Sequence, residues 1–202
     1  LKPVNIYPNL FINWCLSFIV LCECYNKDGT PHESNTRHKL VETFNKCKDQ
    51  EPWFGIEQEY VLTELDKKSV IQIPYNWANL SDPGKGPQGP YYCGVGGDRC
   101  FGRKISQKHL ELCMGMGLKI CGTNAEVMAS QWEYQIGPLD PVELSDQMWI
   151  SRYVLGRVTE DFACAYTLHP KPLTSGDWNG SGGHTNFSTK LMRESEGLKY
   201  IV

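Results

Sequence analysis

Glu57 and Glu59 stand one residue apart in the stretch Trp53–Tyr60, which reads WFGIEQEY. On a β-strand, residues i and i+2 share a face. Both carboxylates then project together, about 6.5–7 Å apart along the strand, with Ile56, Gln58 and Tyr60 on the opposite face. Two like charges at that spacing are costly unless water or a cation lies between them. For an isolated pair the ordinary alternative is a solvated strand face. A cation site requires further ligands from elsewhere in the chain.

The rest of the chain offers them on three more stretches. Leu118–Met128 and Ser130–Gly137 read as strands and carry Glu126 and Glu133. In the second, Trp132, Tyr134 and Ile136 alternate with Gln131, Glu133 and Gln135. An apolar face opposite a carboxamide–carboxylate face fits a sheet lining a polar cavity, and equally a sheet facing water. The fourth stretch is His184–Ser188, a strand placing His184, Asn186 and Ser188 on one face. The glycine-rich loop Pro170–Gly183 runs directly into it, and glycines allow backbone N–H groups to approach an anionic ligand. In one antiparallel sheet, same-face side chains of neighbouring strands reach ligand distance. Four carboxylates and an imidazole gathered in a cavity require cations. Oxygen-rich ligands with one histidine suit Mg²⁺ or Mn²⁺, and paired ions of that kind handle phosphate groups.

The other elements are scaffolding. Leu16–Tyr25 reads as a strand closing a small β-rich unit, and Asn26–Gly29 as a turn. Apolar spacing predicts helices over Thr36–Lys48 with Thr36 as N-cap, over Arg103–Met116, and over Asp146–Phe162 with Ser145 as N-cap. The last would bury Trp149, Tyr153, Leu155 and Val158. His109 falls on the apolar stripe Ile105, Leu112, Cys113, Met116 and reads as structural. Glu51–Thr63 and Ala163–His169 are expected strands, Lys67–Gly97 a long functional loop, and Lys190–Tyr200 the beginning of a further helix.

Composition narrows the function class. The 202 residues carry a net charge of −3 with no basic run, which argues against nucleic acid as a partner. The apolar stretch Leu10–Cys22 is interrupted by Asn13 and Ser17 and falls short of the roughly 20 residues that a membrane helix needs. Nine cysteines without a C-x-x-C pair fit reduced, mostly buried thiols in a cytoplasmic protein, with a zinc site as the alternative. A chain that starts at Leu1 and ends in the apolar run GLKYIV is expected to be cut from a longer polypeptide.

At the motif level the sequence resembles glutamine synthetase of the eukaryotic type. The likeness lies in EPWFGIEQEY at Glu51–Tyr60, GPQGPYYCGVG at Gly86–Gly96, TNAEVM and QWEYQIGP within Thr123–Pro138, GDWNGSGGHTNFSTK at Gly176–Lys190, and MRESEGLKYI near the end. LKPVNIYP at the start is similar too. The resemblance implies an α+β fold. Residues 1–33 would end a small β-grasp domain, and 34–202 would form two-thirds of a catalytic domain, a curved, largely antiparallel sheet with flanking helices. It implies ATP-dependent joining of ammonia to glutamate through a phosphorylated glutamate intermediate, in a homo-oligomeric ring whose sites lie between subunits.

The residue roles follow from the same resemblance. Glu59, Glu126 and Glu133 would hold one ion, and Glu57 and His184 a second. Glu57, Glu126, Asn179, Gly180 and His184 would bind glutamate. Trp53, Glu133, Asn186 and Ser188 would lie toward ATP. There are departures. Arginines, a further glutamate and a flap that the family supplies later in the chain, and an aspartate loop supplied earlier, have no counterpart here. Ala129 stands where proline is usual, and Ile71–Lys85 is longer than the family's segment. A non-catalytic relative that binds metal or nucleotide is therefore a second reading. A phosphagen-kinase or glutamate–cysteine ligase relative shares the carboxylate logic without the motif match.

Overall fold

The computed structural model describes residues 1–65, 74–77 and 88–201. The long loop expected over Lys67–Gly97 and the segment Ile71–Lys85 lie largely outside them. Among the described residues the chain forms two antiparallel sheets with helices packed on one side.

The first sheet is a hairpin of β1 (Lys2–Pro8) and β2 (Phe18–Glu23). The sequence reading missed β1, whose two prolines obscure the strand pattern. The hairpin turns Tyr7 into the core, with Ile19 and Leu21 packed against it, and leaves Ile6, Phe18 and Val20 about half exposed.

The second sheet has five strands built around β3 (Trp53–Glu64). One edge of β3 pairs with β5 (Gln131–Leu139), which pairs in turn with β4 (Ile120–Ala125). The other edge is shared end to end: β7 (Gly183–Ser188) lies against Trp53–Gln58 and β6 (Cys164–Thr167) against Val61–Glu64. The largely antiparallel sheet with flanking helices agrees with the expected fold. One face turns Tyr60, Leu62, Trp132, Tyr134 and Ile136 into the main core.

Helices α1 (Thr36–Cys47), α2 (Arg103–Gly115) and α3 (Pro141–Asp161) flank the sheets. Asn35, not Thr36, caps α1, its side chain accepting from the His38 N–H. Helix α3 begins earlier than expected: Asp140 is the N-cap and Pro141 takes the first helical position, where the absent N–H costs nothing. Ser145 lies inside the helix and donates to the Pro141 carbonyl. The buried stripe runs through Leu144, Met148, Ser151, Leu155 and Val158, so Trp149 and Tyr153 are exposed at 63 % and 44 %. Ser151 disguises the stripe in sequence. Its hydroxyl is satisfied by the Met148 carbonyl and the Tyr134 hydroxyl, each at 2.8 Å, and a polar residue so paired is at home in a core. His109 is structural: its Nε2 lies 3.0 Å from the Ser151 carbonyl, and burial pushes its pKa down to about 4. The expected final helix breaks up into a single turn, α4 (Lys190–Arg193), and a tight turn at Gly197–Tyr200. All nine cysteines are free, but only Cys113 and Cys164 are buried, against the expectation that most would be.

Candidate metal centre

The sheet register gathers the acidic residues. Glu59 of β3 stands opposite Glu133 of β5, and Glu133 stands opposite Asn124 of β4. All point away from the main core, because Gln58, Tyr60, Trp132 and Tyr134 occupy the alternate positions. Glu126 corrects the strand expectation. Strand β4 ends at Ala125, and Glu126 opens the turn into β5, its N–H donating to the Gln131 carbonyl at 2.8 Å. That turn folds it back over its neighbours. Glu59, Glu126 and Glu133 each offer an oxygen within 4.8 Å of the others.

The polar groups around them hold the carboxylates in place. The Glu126 carboxylate accepts from Asn124 Nδ2 at 3.0 Å and from the Val127 N–H at 3.2 Å. Gln135 donates to both Glu133 and Asn124. Gln131 donates to Glu59 Oε2 at 2.8 Å. Burial pushes the Glu126 carboxyl above the ordinary range, and the charges of Glu59 and then Glu57 add to it. Burial likewise raises Glu133, with Glu126, Glu57 and Glu59 adding to it. Three clustered carboxylates, two of them raised by burial and by their neighbours' charges, suit a hard divalent cation: the set is all oxygen and negative, and it lacks a balancing positive charge.

Glu57 and His184 stand opposite each other across β3 and β7. They lie beyond the three-glutamate group, although the charge of Glu57 is felt by both Glu126 and Glu133. Asn186 Nδ2 donates to Glu57 Oε1 at 2.9 Å. Ser188 lies opposite Trp53. The Arg193 guanidinium sits 3.8 Å over the Trp53 ring and donates to the Ser188 carbonyl and hydroxyl. One face of Trp53 is thereby covered. A cleft of about 310 Å³ runs along this edge, lined by Trp53, Glu57, Gln135, Asn186 and Ser188 among others.

The glycine loop closes the site from the other side. Gln88 Nε2 donates to the Asp177 carbonyl at 2.9 Å and approaches Asn179 Oδ1 at 3.4 Å. The Ser181 N–H donates to the Pro170 carbonyl at 2.8 Å. Gly180 offers its carbonyl to Gln131 at 2.9 Å. Gly182 sits so close to Glu59 that a Cβ there would lie 3.1 Å from Oε1.

Residues 33–197 match the family model described as glutamine synthetase, catalytic domain. The chain belongs to the glutamine synthetase family. It is 50 % identical over 201 residues to a glutamine synthetase of Kluyveromyces lactis, covering 100 % of this chain and 52 % of that relative. Identity is 47 % to the glutamine synthetase of Neurospora crassa, covering 53 % of it. It is 46 % to the Drosophila melanogaster protein named glutamine synthetase 2 cytoplasmic, covering 52 %. The chain thus spans about half the length of the curated relatives it matches.

Two glutamines carry much of this site and were not singled out from sequence. Gln131 and Gln135 mark the polar face there only as pattern. Their signal is position, i−2 and i+2 from Glu133 on a strand, which places their amides beside its carboxylate. Ala129 is fully buried with Tyr91 and Phe101 in a small separate cluster, with Trp77 packed against it.

Proposed function

We propose that this chain forms the metal- and nucleotide-binding core of a glutamate–ammonia ligase. The observation that carries this reading is the convergence of Glu59, Glu126 and Glu133 within 4.8 Å beside a glycine loop, in a chain of this family. Glu59, Glu126 and Glu133 would hold one Mg²⁺ or Mn²⁺, and Glu57 with His184 a second. When bound, such ions neutralise the triphosphate and the charge that develops during transfer of its terminal phosphoryl group.

The protein groups do the positioning. Asn186 fixes one oxygen of Glu57 and leaves the other for a ligand. The loop Asn179–Gly183 offers backbone groups to glutamate, with Glu57, Glu126 and His184 at its edge. Trp53, Glu133, Asn186 and Ser188 face the nucleotide, with the open side of the Trp53 ring toward adenine. Phosphoryl transfer to the glutamate side chain gives a phosphorylated intermediate, from which ammonia displaces phosphate to give glutamine. Residues 1–33 and 34–202 are read as two units, in keeping with the separate hairpin sheet. A homo-oligomeric ring and a cytoplasmic setting complete the reading. For the latter, support comes from the name of the Drosophila relative. No helix among the described residues is long and apolar enough to cross a membrane.

The test is Glu57→Ala and Glu133→Ala in the full-length protein that contains this sequence. Glutamine formation is expected to fall by orders of magnitude, with the melting temperature retained and Mn²⁺ affinity reduced. Unchanged turnover at saturating metal would remove the two-ion assignment. Wild-type binding of Mn²⁺ and ATP with no glutamine formed would point instead to a non-catalytic relative.

A further inference from the structure

Gln131 is 1 % exposed and opens β5. Its amide has one consistent orientation. The Met128 N–H, a donor, faces Oε1 at 3.2 Å. Glu59 Oε2 at 2.8 Å and the Gly180 carbonyl at 2.9 Å, both acceptors, face Nε2, and the Ser181 hydroxyl lies 3.3 Å away. The two N–H bonds of a primary amide are fixed in one plane. One of them therefore reads the position of a candidate metal ligand, and the other holds the backbone of the glycine loop. A second contact joins the same two parts: the Glu59 N–H donates to the Gly182 carbonyl at 3.4 Å, and Gly182 packs with no room to spare against Glu59 Oε1.

We propose that Gln131 is a positioning residue that couples occupancy of the Glu59 carboxylate to the shape of the Asn179–Gly183 loop, so that a divalent cation and glutamate tighten each other's binding. This deepens the reading above and rests on it, since it takes Glu59 as a cation ligand and the loop as the glutamate site. Without a cation, Glu59 and Glu126 repel each other, and the bond from Gln131 helps to hold Glu59 within 4.8 Å of its neighbours. A bound cation would offset that repulsion and fix Glu59, the Gln131 amide would be fixed with it, and the Gly180 carbonyl that this amide holds would be fixed in turn. Coupling of this kind is reciprocal.

The experiment uses the full-length protein, with Mn²⁺ and glutamate titrated by calorimetry. In the wild type, saturating Mn²⁺ is expected to tighten glutamate binding about ten-fold, the scale of a hydrogen bond to a charged group. Gln131→Met keeps the volume and removes both N–H groups. It is expected to bring that ratio close to one while changing Mn²⁺ affinity far less. A folded Gln131→Met protein that keeps the wild-type ratio overturns the coupling. A second measurement needs no variant. Mn²⁺ alone should slow amide hydrogen exchange across residues 176–184 of the wild type, and unchanged exchange also overturns it. Glu59→Gln separates the two levels. If it abolishes Mn²⁺ binding while Gln131→Met keeps the ratio, only the coupling is wrong. If it leaves Mn²⁺ binding untouched, the metal assignment fails and takes the coupling with it.

Discussion

Glu126 and Glu133 hold their protons more tightly in the folded chain than in the unfolded one, because burial and neighbouring carboxylates disfavour their charged forms. Stability from a raised group is present below the ordinary carboxylate range and is lost as pH rises through the raised value. As pH rises from the ordinary carboxylate pKa of about 4.3, the metal-free wild type should therefore lose melting temperature relative to Glu126→Gln, which lacks one of the two raised groups. Saturating Mn²⁺ should reverse that loss, since protons then compete with the ion for the same oxygens. Calorimetry with chelator, and again with Mn²⁺, measures both. A metal-free wild-type melting temperature that keeps a constant difference from Glu126→Gln at every pH would contradict the assignment. Groups whose pKa is lowered act alike on both proteins and leave that difference untouched. They include Glu23, held down by Arg37 and Tyr25 against the pull of burial, and His109, which burial lowers to about 4.

At the scale of elements, one arginine ties three pieces together. Arg37 of α1 donates to Asp146 of α3 through Nε at 2.7 Å and Nη2 at 2.9 Å, and to Glu23 of β2 through Nη1 at 2.8 Å. The two carboxylates are nearly inaccessible, while Arg37 keeps 23 % exposure. Removing one partner of a buried pair costs about 3–5 kcal/mol because the other charge is stranded, and partial exposure of the arginine reduces this to about 2–4. Arg37→Met should then lower the melting temperature by about 5–15 °C, given about 2–4 °C per kcal/mol at this chain length. Adding Glu23→Gln and Asp146→Asn should recover much of the loss. A single variant that melts like the wild type would show that the triad contributes nothing net. The same region borders a cavity of about 390 Å³, so little apolar packing stands in for the ion pairs.

For the whole molecule, the informative surface is the outer face of the hairpin. Ile6, Phe18 and Val20 are 58 %, 50 % and 48 % exposed, and Trp14 and Leu16 beside them more than 80 %. Contiguous apolar surface of this kind marks an interface or an aggregation site. Expressed as these 202 residues, the protein should self-associate in a concentration-dependent way at low micromolar levels, and Phe18→Lys with Val20→Lys should suppress this. Sedimentation velocity decides. A monodisperse monomer for the unaltered chain would count against it.

Alternation and spacing alone determined a good deal. They put Glu57 and Glu59 on one strand face, set Trp132, Tyr134 and Ile136 against Gln131, Glu133 and Gln135, and placed His109 in a helix stripe. These are local consequences of backbone geometry, with a period of 2 on a strand and 3.6 on a helix, so they survive without knowledge of what packs where. The tertiary structure decided the rest. The register of β3 against β5 set Glu59 opposite Glu133, and a turn, not a strand, delivered Glu126. Buried partners for Ser151 moved the true stripe of α3 away from Trp149 and Tyr153. Gln131 became legible only when Glu59 and Gly180 stood on either side of its amide. Hydrogen bonds between residues 49 and 72 positions apart leave no periodic trace, because the chain between them is free to vary in length and course.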